Sequence, residues 1–146
     1  MQIDLNFPAT HKANIEINAT PIRVWEIISD IENWPSWNDD IKSAKLNGKL
    51  AKGTTFTWKA GPGTITSTLE VVDKPQLLGW SGKLFGIQAV HIWRIEPKGE
   101  IAIVTTEESW DGLLPKLFKG YSKKTLKKAI DNGLRQLKIA AESSEK

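Results

Sequence analysis

The chain of 146 residues contains no cysteine, only two histidines and only one tyrosine. Without cysteine it can form neither a disulfide nor a thiolate metal site, and catalysis by a thiol is excluded. With His11 and His91 as the only imidazoles, a metal site would depend on carboxylates, and no cluster with metal-ligand spacing is present. We therefore expect no metal. The lack of cysteine also fits the reducing cytoplasm, where we expect the protein to reside.

Long apolar stretches are missing as well. No run approaches the ~18 apolar residues that a transmembrane helix requires, and residues 1–12 lack the apolar segment of a secretion signal. The glycines form no phosphate-binding loop or dinucleotide fingerprint, and no G-x-S-x-G nucleophile motif occurs, so we expect no cofactor. The length suits one domain, which we place at residues 1–146 with a core from about 11 to 141.

Tryptophan is the residue type in excess, with seven against four phenylalanines. Its side chain is large, and its indole N–H requires a hydrogen-bond partner when it is buried. This number in a small domain predicts either a dense aromatic core or a wide apolar pocket with aromatic walls. The tryptophan count alone does not decide between them.

Alternation of apolar and polar residues predicts a strand over 11–19, after which Thr20 and Pro21 begin a short helix. Residues 33–38 are too interrupted by proline for more than a turn or a second short helix. Six further alternating stretches are separated by turn residues, and they predict strands at 41–46, 54–58, 64–72, 77–83, 87–96 and 101–110. The short connections indicate an antiparallel meander.

A long amphipathic helix is predicted from Gly112 to Ala141, with Asp111 as its N-cap. Its first apolar group points about a third of a turn away from the later one, which predicts a bend near Gly120 or a change of packing partner. That first group consists of Leu114, Leu117, Phe118 and Tyr121. We expect both groups to face the sheet.

The charge is unevenly distributed, since residues 112–146 hold nine Lys or Arg against three acidic residues. Such a face suits an anionic partner, but a solvated helix face is favoured over contact with a membrane surface. We predict that nucleic acid is not a partner, because Tyr121 is expected on the buried side and no other aromatic residue is interleaved with the lysines.

Short motifs follow one another along the chain: Ala19-Thr20-Pro21-x-x-Val24-Trp25, Trp34-Pro35-x-Trp37-Asn38, Leu78-x-Trp80-x-Gly82, His91-x-Trp93, Thr106-x-Glu108-x-Trp110-x-Gly112 and Gly133-Leu134-x-x-Leu137-Lys138. Together they resemble the START-related (SRPBCC) superfamily, in its polyketide cyclase/dehydrase-like branch. The resemblance covers about residues 11–141. It implies an α+β helix-grip fold, in which a curved seven-stranded antiparallel sheet surrounds a long C-terminal helix and two short helices follow strand 1. It also implies a cavity for an apolar or amphipathic small molecule, but no particular reaction.

The candidate chemistry lies on the last two strands. If Glu96 pairs with Ile101, then His91 lies opposite Thr106 and one diagonal from Glu108. His91 and Glu108 would form a polar spot on an apolar wall, able to orient a ligand carbonyl or phenol or to act as an acid–base pair. In a purely structural alternative, His91 bonds to Thr106 or a backbone carbonyl, and Glu108 reaches the cavity mouth or a buried water.

The predicted ligand-binding residues share inward parity or lie on the facing helix: Phe56, Trp58, Trp80, His91, Trp93, Thr106, Glu108, Leu117 and Tyr121. Three functions remain in competition. The first is a carrier or sensor of an apolar or amphipathic small molecule. The second is a cyclase or dehydratase in which His91 and Glu108 are the catalytic candidates, and the third is an interaction module that uses the basic helix. Whether the protein is an enzyme stays open at this point.

Overall fold

The fold is a seven-stranded antiparallel sheet with helices on one side, seen in a computed structural model that describes residues 1–143. The strands are β1 (Ala9–Ile17), β2 (Ile41–Leu46), β3 (Thr55–Ala60), β4 (Gly63–Asp73), β5 (Leu77–Leu84), β6 (Ile87–Lys98) and β7 (Ile101–Asp111). Their order across the sheet is β1-β7-β6-β5-β4-β3-β2. The meander is therefore confirmed, and β1 completes the sheet by pairing with the last strand.

Two short helices follow β1, as predicted: α1 (Pro21–Ile28) and a 3-10 helix over Ile31–Ser36. The hydroxyl of Thr20 accepts a hydrogen bond from the amide of Arg23 at 3.3 Å, and Pro21 occupies the first turn, where its missing N–H costs little. The apolar face of α1 buries Val24, Trp25 and Ile28.

The C-terminal helix is not continuous. A single turn, α2 (Leu113–Leu117), precedes α3 (Lys119–Glu142), and Phe118 between them leaves the helical region with φ −120° and ψ 54°. The predicted change of direction is thus real and lies two residues before Gly120. The predicted cap is wrong, because Asp111 is the last residue of β7 and Gly112 precedes α2 without any side-chain cap.

The main core lies at one end of the layer between sheet and helices. There α1, the 3-10 helix and the C-terminal half of α3 cover the concave face, and Leu134, Leu137 and Ala141 of α3 belong to this cluster. A second, smaller cluster joins α3 to the sheet's β1 edge through Ala9, Leu126 and Ile130. The first turns of α3 contribute much less apolar burial. Within the described part of the chain, no helix is long and apolar enough to cross a membrane.

Candidate functional site

The candidate residues lie at the centre of the sheet, where β6 is flanked by β5 and β7. The pairing is Lys98 with Ile101, so the connection is only Gly99 and Glu100, and the predicted pairing of Glu96 with Ile101 is wrong by two residues. A shift of two leaves every side chain on its predicted face. It changes the neighbours, however, and places His91 directly opposite Glu108 rather than opposite Thr106.

Hydrogen bonds fix the imidazole of His91 in one orientation. The Thr106 hydroxyl donates to the carbonyl oxygen of Ile92 at 3.0 Å, and it lies 2.9 Å from His91 Nε2. Because the hydroxyl proton is committed to Ile92, Thr106 accepts from Nε2, which therefore carries the proton. His91 is then a neutral imidazole with a lone pair on Nδ1. The predicted bond between His91 and Thr106 is present, although the two residues are diagonal neighbours.

Glu108 occupies the other side of the imidazole. Its Oε1 lies 3.3 Å from His91 Nδ1, and its Oε2 accepts a hydrogen bond from Trp110 Nε1 at 2.9 Å. The contact with Nδ1 lacks the alignment of a hydrogen bond, so this buried nitrogen has no partner among the described residues. An orphaned buried polar atom is costly and uncommon in folded proteins.

Burial sets the protonation of both groups. The side chains of His91 and Glu108 are 11% and 13% exposed. Loss of hydration lowers the pKa of His91 to about 3, because the cation is disfavoured. The same burial raises the pKa of Glu108 to about 7, against a smaller opposing effect of the Trp110 hydrogen bond. Near neutrality His91 is uncharged and Glu108 is poised between acid and carboxylate.

Aromatic side chains from β5 and from β6 itself pack around the imidazole. The rings of Trp80 and Trp93 have centroids 4.8 Å and 5.4 Å from that of His91. Phe56 and Trp34 extend the cluster, with centroids 5.6 Å and 5.2 Å from Trp80. These rings pack directly against one another and are nearly inaccessible to solvent. The tryptophan-rich sequence thus builds a dense core over this half of the sheet.

The structure does not bring all predicted residues together. Trp80, Trp93 and Thr106 are buried beside His91 and Glu108, whereas Phe56 is buried farther along the sheet against Trp80. The half-buried Trp58 donates to the Ser67 hydroxyl at 3.0 Å. Leu117 and Tyr121 are exposed, so their expected place on the buried side of the helix is wrong. The break at Phe118 separates α2 from α3 and leaves this first apolar group outside the interior.

His11 was not among the predicted site residues, yet it flanks Glu108 from β1. Its Nε2 lies 3.2 Å from Asp131 Oδ1 on α3, and this contact joins the edge of the sheet to the helix. The signal was present, since His11 shares the parity of Ala13 and Ile15, which face inward. Only the register of β1 against β7 shows that it stands next to Glu108.

The concave face of β6 continues from His91 toward one end of the sheet. Ala89 lies two positions before His91, in a strand with neighbours on both sides, and it is still partly exposed. Ile87, two positions earlier, lines a surface concavity of about 400 Å³ together with Leu84, Phe85 and Leu113. At about 3.4 Å per residue, His91 lies roughly 14 Å along the strand from that concavity.

The described residues show no metal site, and their second concavity lies away from His91. Residues 1–143 contain no group of three or more His, Asp or Glu side chains placed to hold a metal ion. A second concavity of about 280 Å³ lies on the opposite face of the sheet, where Arg94 and Lys12 approach the buried carboxylate of Glu107 at 3.6 and 3.8 Å. It shares no lining residue with the His91 site.

Comparison with known proteins finds a family match over nearly the whole chain. Residues 8–142 match a family model described as polyketide cyclase/dehydrase and lipid transport. No curated protein sequence matches the chain.

Solved structures of similar fold cover most of the chain at low sequence identity. A hypothetical protein of Helicobacter pylori superposes with a TM-score of 0.78 at 15% identity, over 91% of this chain and 86% of that one. A START superfamily protein of Mycobacterium smegmatis gives 0.75 at 15% identity, over 91% and 97%. The di-domain ARO/CYC StfQ of the steffimycin biosynthetic pathway gives 0.78 at 13% identity, over 92% of this chain and 51% of that one. The helix-grip fold is confirmed by these likenesses.

Proposed function

The chain belongs to the polyketide cyclase/dehydrase and lipid transport family, and we propose that it binds an apolar small molecule through a hydroxyl group held by His91 and Glu108. The observation that carries the proposal is the buried Nδ1 of His91, which has no aligned partner although a carboxyl oxygen lies 3.3 Å away. Without a ligand, this nitrogen has no aligned hydrogen-bond partner among the described residues.

The protonation states select the ligand group. His91 Nδ1 can only accept a hydrogen bond, whereas protonated Glu108 can donate one. A hydroxyl can donate to the first and accept from the second, which satisfies both. A ketone oxygen can only accept, so it would leave Nδ1 orphaned at the cost of an unmade buried hydrogen bond. An alcohol or phenol is therefore favoured over a carbonyl compound.

The apolar body of the ligand would lie along Ala89 and Ile87, toward the concavity at the end of the sheet. The side chains at these concave positions are partly exposed, which supports an approach from that end. Trp80 and Trp93 hold the imidazole from the other side, so they act as a fixed wall. Phe56, Trp58 and Thr106 support this wall from behind or beside it.

A matched pair of probes tests the proposal. We expect 2-naphthol to bind more tightly than its methyl ether, by roughly 2- to 13-fold for each hydrogen bond that only the hydroxyl makes. Isothermal titration calorimetry measures both affinities. His91→Phe keeps an aromatic ring but removes the acceptor, and it should reduce the preference for the hydroxyl.

A matched pair of variants tests the location. Ala89→Phe fills the concave face next to His91 and should abolish binding, whereas Val90→Phe places the same ring on the opposite face of the same strand and should not. Circular dichroism checks that both variants fold. Equal affinity for alcohol and ether, or equal loss in the two variants, would contradict the proposal.

A cyclase or dehydratase activity is the second candidate, because a Glu108 pKa of about 7 suits proton donation near neutrality. In that case His91→Gln should leave probe affinity nearly unchanged and lower turnover by about 10²- to 10⁴-fold. Mass spectrometry of a substrate panel of phenols, quinones and polyketide-like ketones would detect a product. Turnover that depends on both His91 and Glu108 would replace the carrier function with an enzymatic one.

A further inference from the structure

A group of large apolar side chains stands exposed where α2 meets the turn between β5 and β6. Their exposed fractions range from 38% to 74%. The group, called the α2 patch, consists of Phe85, Leu113, Leu114, Leu117, Phe118 and Tyr121. Isolated exposed apolar residues are ordinary, but a contiguous group of this size in a monomer marks an interaction surface.

The α2 patch is one surface because its two segments are held against each other. A Cβ built on Gly112 would lie 2.1 Å from the carbonyl oxygen of Gly86, so the start of α2 touches the backbone of the β5–β6 turn. Leu114 lies against Gly86, and Phe85 and Leu113 both line the 400 Å³ concavity. Four of the six residues, Leu114, Leu117, Phe118 and Tyr121, form the first apolar group of the predicted helix, which the sequence pattern would bury. Leu113 lies beside this group.

Positive charge borders the α2 patch. Six lysines and no acidic residue occur between positions 112 and 130: Lys116, Lys119, Lys123, Lys124, Lys127 and Lys128. Two of them are engaged, Lys116 with Asp111 at 3.9 Å and Lys127 with Asp131 at 2.7 Å. The other four are exposed and have no ion pair with a described residue.

We propose that the α2 patch docks onto an anionic lipid surface. Leucine and phenylalanine side chains can enter the boundary between headgroups and acyl chains, while the lysines around them lie at the level of the lipid phosphates. A second copy of the chain fits less well, because two such faces would bring like charges together. Nucleic acid would pair with the lysines but leave the leucines in water.

The exposed α2 patch reverses two expectations from the sequence. The lysines border an exposed apolar surface rather than forming a plain solvated face, which favours membrane contact. Tyr121 is exposed beside Lys124 on the following turn, so the argument that no aromatic residue accompanies the lysines is wrong. Nucleic-acid binding is therefore included as an outcome of the test.

The test is cosedimentation of the full chain with phosphatidylcholine vesicles that contain or lack phosphatidylserine. We expect binding only to the vesicles with phosphatidylserine, and a loss of binding as salt is raised. Replacing Lys119, Lys123 and Lys124 together with glutamine should weaken binding by roughly 100-fold, at about five-fold for each lysine. The same change at Lys45, Lys49 and Lys52, which are exposed in the edge strand β2 and the loop after it, should have little effect.

The apolar contribution is tested separately by Leu117→Ser with Phe118→Ser. This double variant should lose most vesicle binding, whereas Ile139→Ser, which removes an equally exposed apolar residue near the far end of α3, should not. All substituted side chains are exposed, and circular dichroism verifies the fold. Equal binding to neutral vesicles, no binding to either kind, tighter binding to a random duplex or single strand, or formation of a dimer through the patch would each overturn the proposal.

Discussion

Glu108 of β7 and His91 of β6 stand directly opposite each other on the concave face, with Oε1 and Nδ1 3.3 Å apart. Burial lowers the pKa of His91 from 6.5 to about 3 and raises the pKa of Glu108 from 4.5 to about 7. Between about pH 4.5 and 6.5 the unfolded chain holds a proton on the imidazole, and the folded chain holds it on the carboxyl group instead. Folding moves the proton from one residue to the other.

The first prediction concerns the pH dependence of stability. Glu108 binds its proton more tightly when folded, so its contribution falls as pH rises from about 4.5 to 7. His91 binds its proton less tightly when folded, so its contribution falls as pH drops from about 6.5 to 3. The contributions of Glu108 and His91 to the free energy of unfolding therefore change in opposite directions between about pH 4.5 and 6.5. Each changes by at most about 1.4 kcal/mol per pH unit, so they offset each other there.

Single substitutions should separate these slopes. As pH rises from about 4.5 to 6.5, the free energy of unfolding of Glu108→Gln should increase relative to that of the native chain. Over the same interval, that of His91→Gln should decrease relative to the native chain. Urea unfolding at several pH values measures this difference, in which the contributions of other carboxylates cancel. Parallel curves for the three proteins would show that the pair does not exchange the proton.

A second prediction concerns ligand binding and pH. A carbonyl probe such as 2-acetonaphthone can bind at this site only by accepting a hydrogen bond from protonated Glu108, so its affinity should fall as pH rises through about 7. A hydroxyl probe can donate to the carboxylate after that proton is lost, so its affinity should change little. Calorimetry on both sides of pH 7 compares the two. Identical pH profiles would place the probes away from Glu108.

The tryptophan core gives a third prediction. Trp34 is 2% exposed, packs against Phe56, Trp58 and Trp80, and donates its indole N–H to the carbonyl oxygen of Ile28 at 2.9 Å. Trp34→Ala should therefore cost about 3–5 kcal/mol of stability. Trp37→Ala, at a half-buried position just after the same 3-10 helix, should cost clearly less. Urea unfolding of both variants decides this, and equal losses would contradict the central position of Trp34.

Two glycines near the α2 patch should respond in opposite directions to alanine. Gly120 has open space around it in the first turn of α3, so Gly120→Ala should stabilise the fold by about 0.4–1 kcal/mol. Gly112 has φ +115°, and an added Cβ would strike the Gly86 carbonyl, so Gly112→Ala should cost at least about 1–3 kcal/mol from backbone strain alone. Thermal unfolding compares them. A neutral Gly112→Ala would mean that α2 and the β5–β6 turn are not held together.

The strands and faces of the sheet could be predicted from the sequence because alternation has a period of two. An error of two residues in the β6–β7 pairing left His91, Trp93, Thr106 and Glu108 on the correct face. The contact of His91 with Glu108 could not be predicted, because it depends on the length of the Gly99–Glu100 turn. The position of His11 likewise depended on a register between distant strands.

In the C-terminal helix, the apolar pattern predicted burial correctly for one part and wrongly for another. Its apolar periodicity is correct for α3, where Leu126, Ile130 and Leu134 are buried. The same kind of pattern misled at Leu117 and Tyr121, because periodicity reports which residues share a face and not what covers that face. An apolar group directed at a core and one directed at a membrane surface have the same sequence spacing.

The pairing of β1 with β7 constrains when the protein can fold. Ala9 pairs with Trp110 and Ile17 with Ala102, so most of the chain lies between the partners. Closing so long a loop costs conformational entropy before any contact repays it, and folding rates fall as such distant contacts come to dominate. On a ribosome β1 must wait, unpaired, until its partner residues 102–110 have been made. During that interval its edge can pair with other chains, so synthesis speed and chaperone supply should govern the yield of folded protein more than the final stability does.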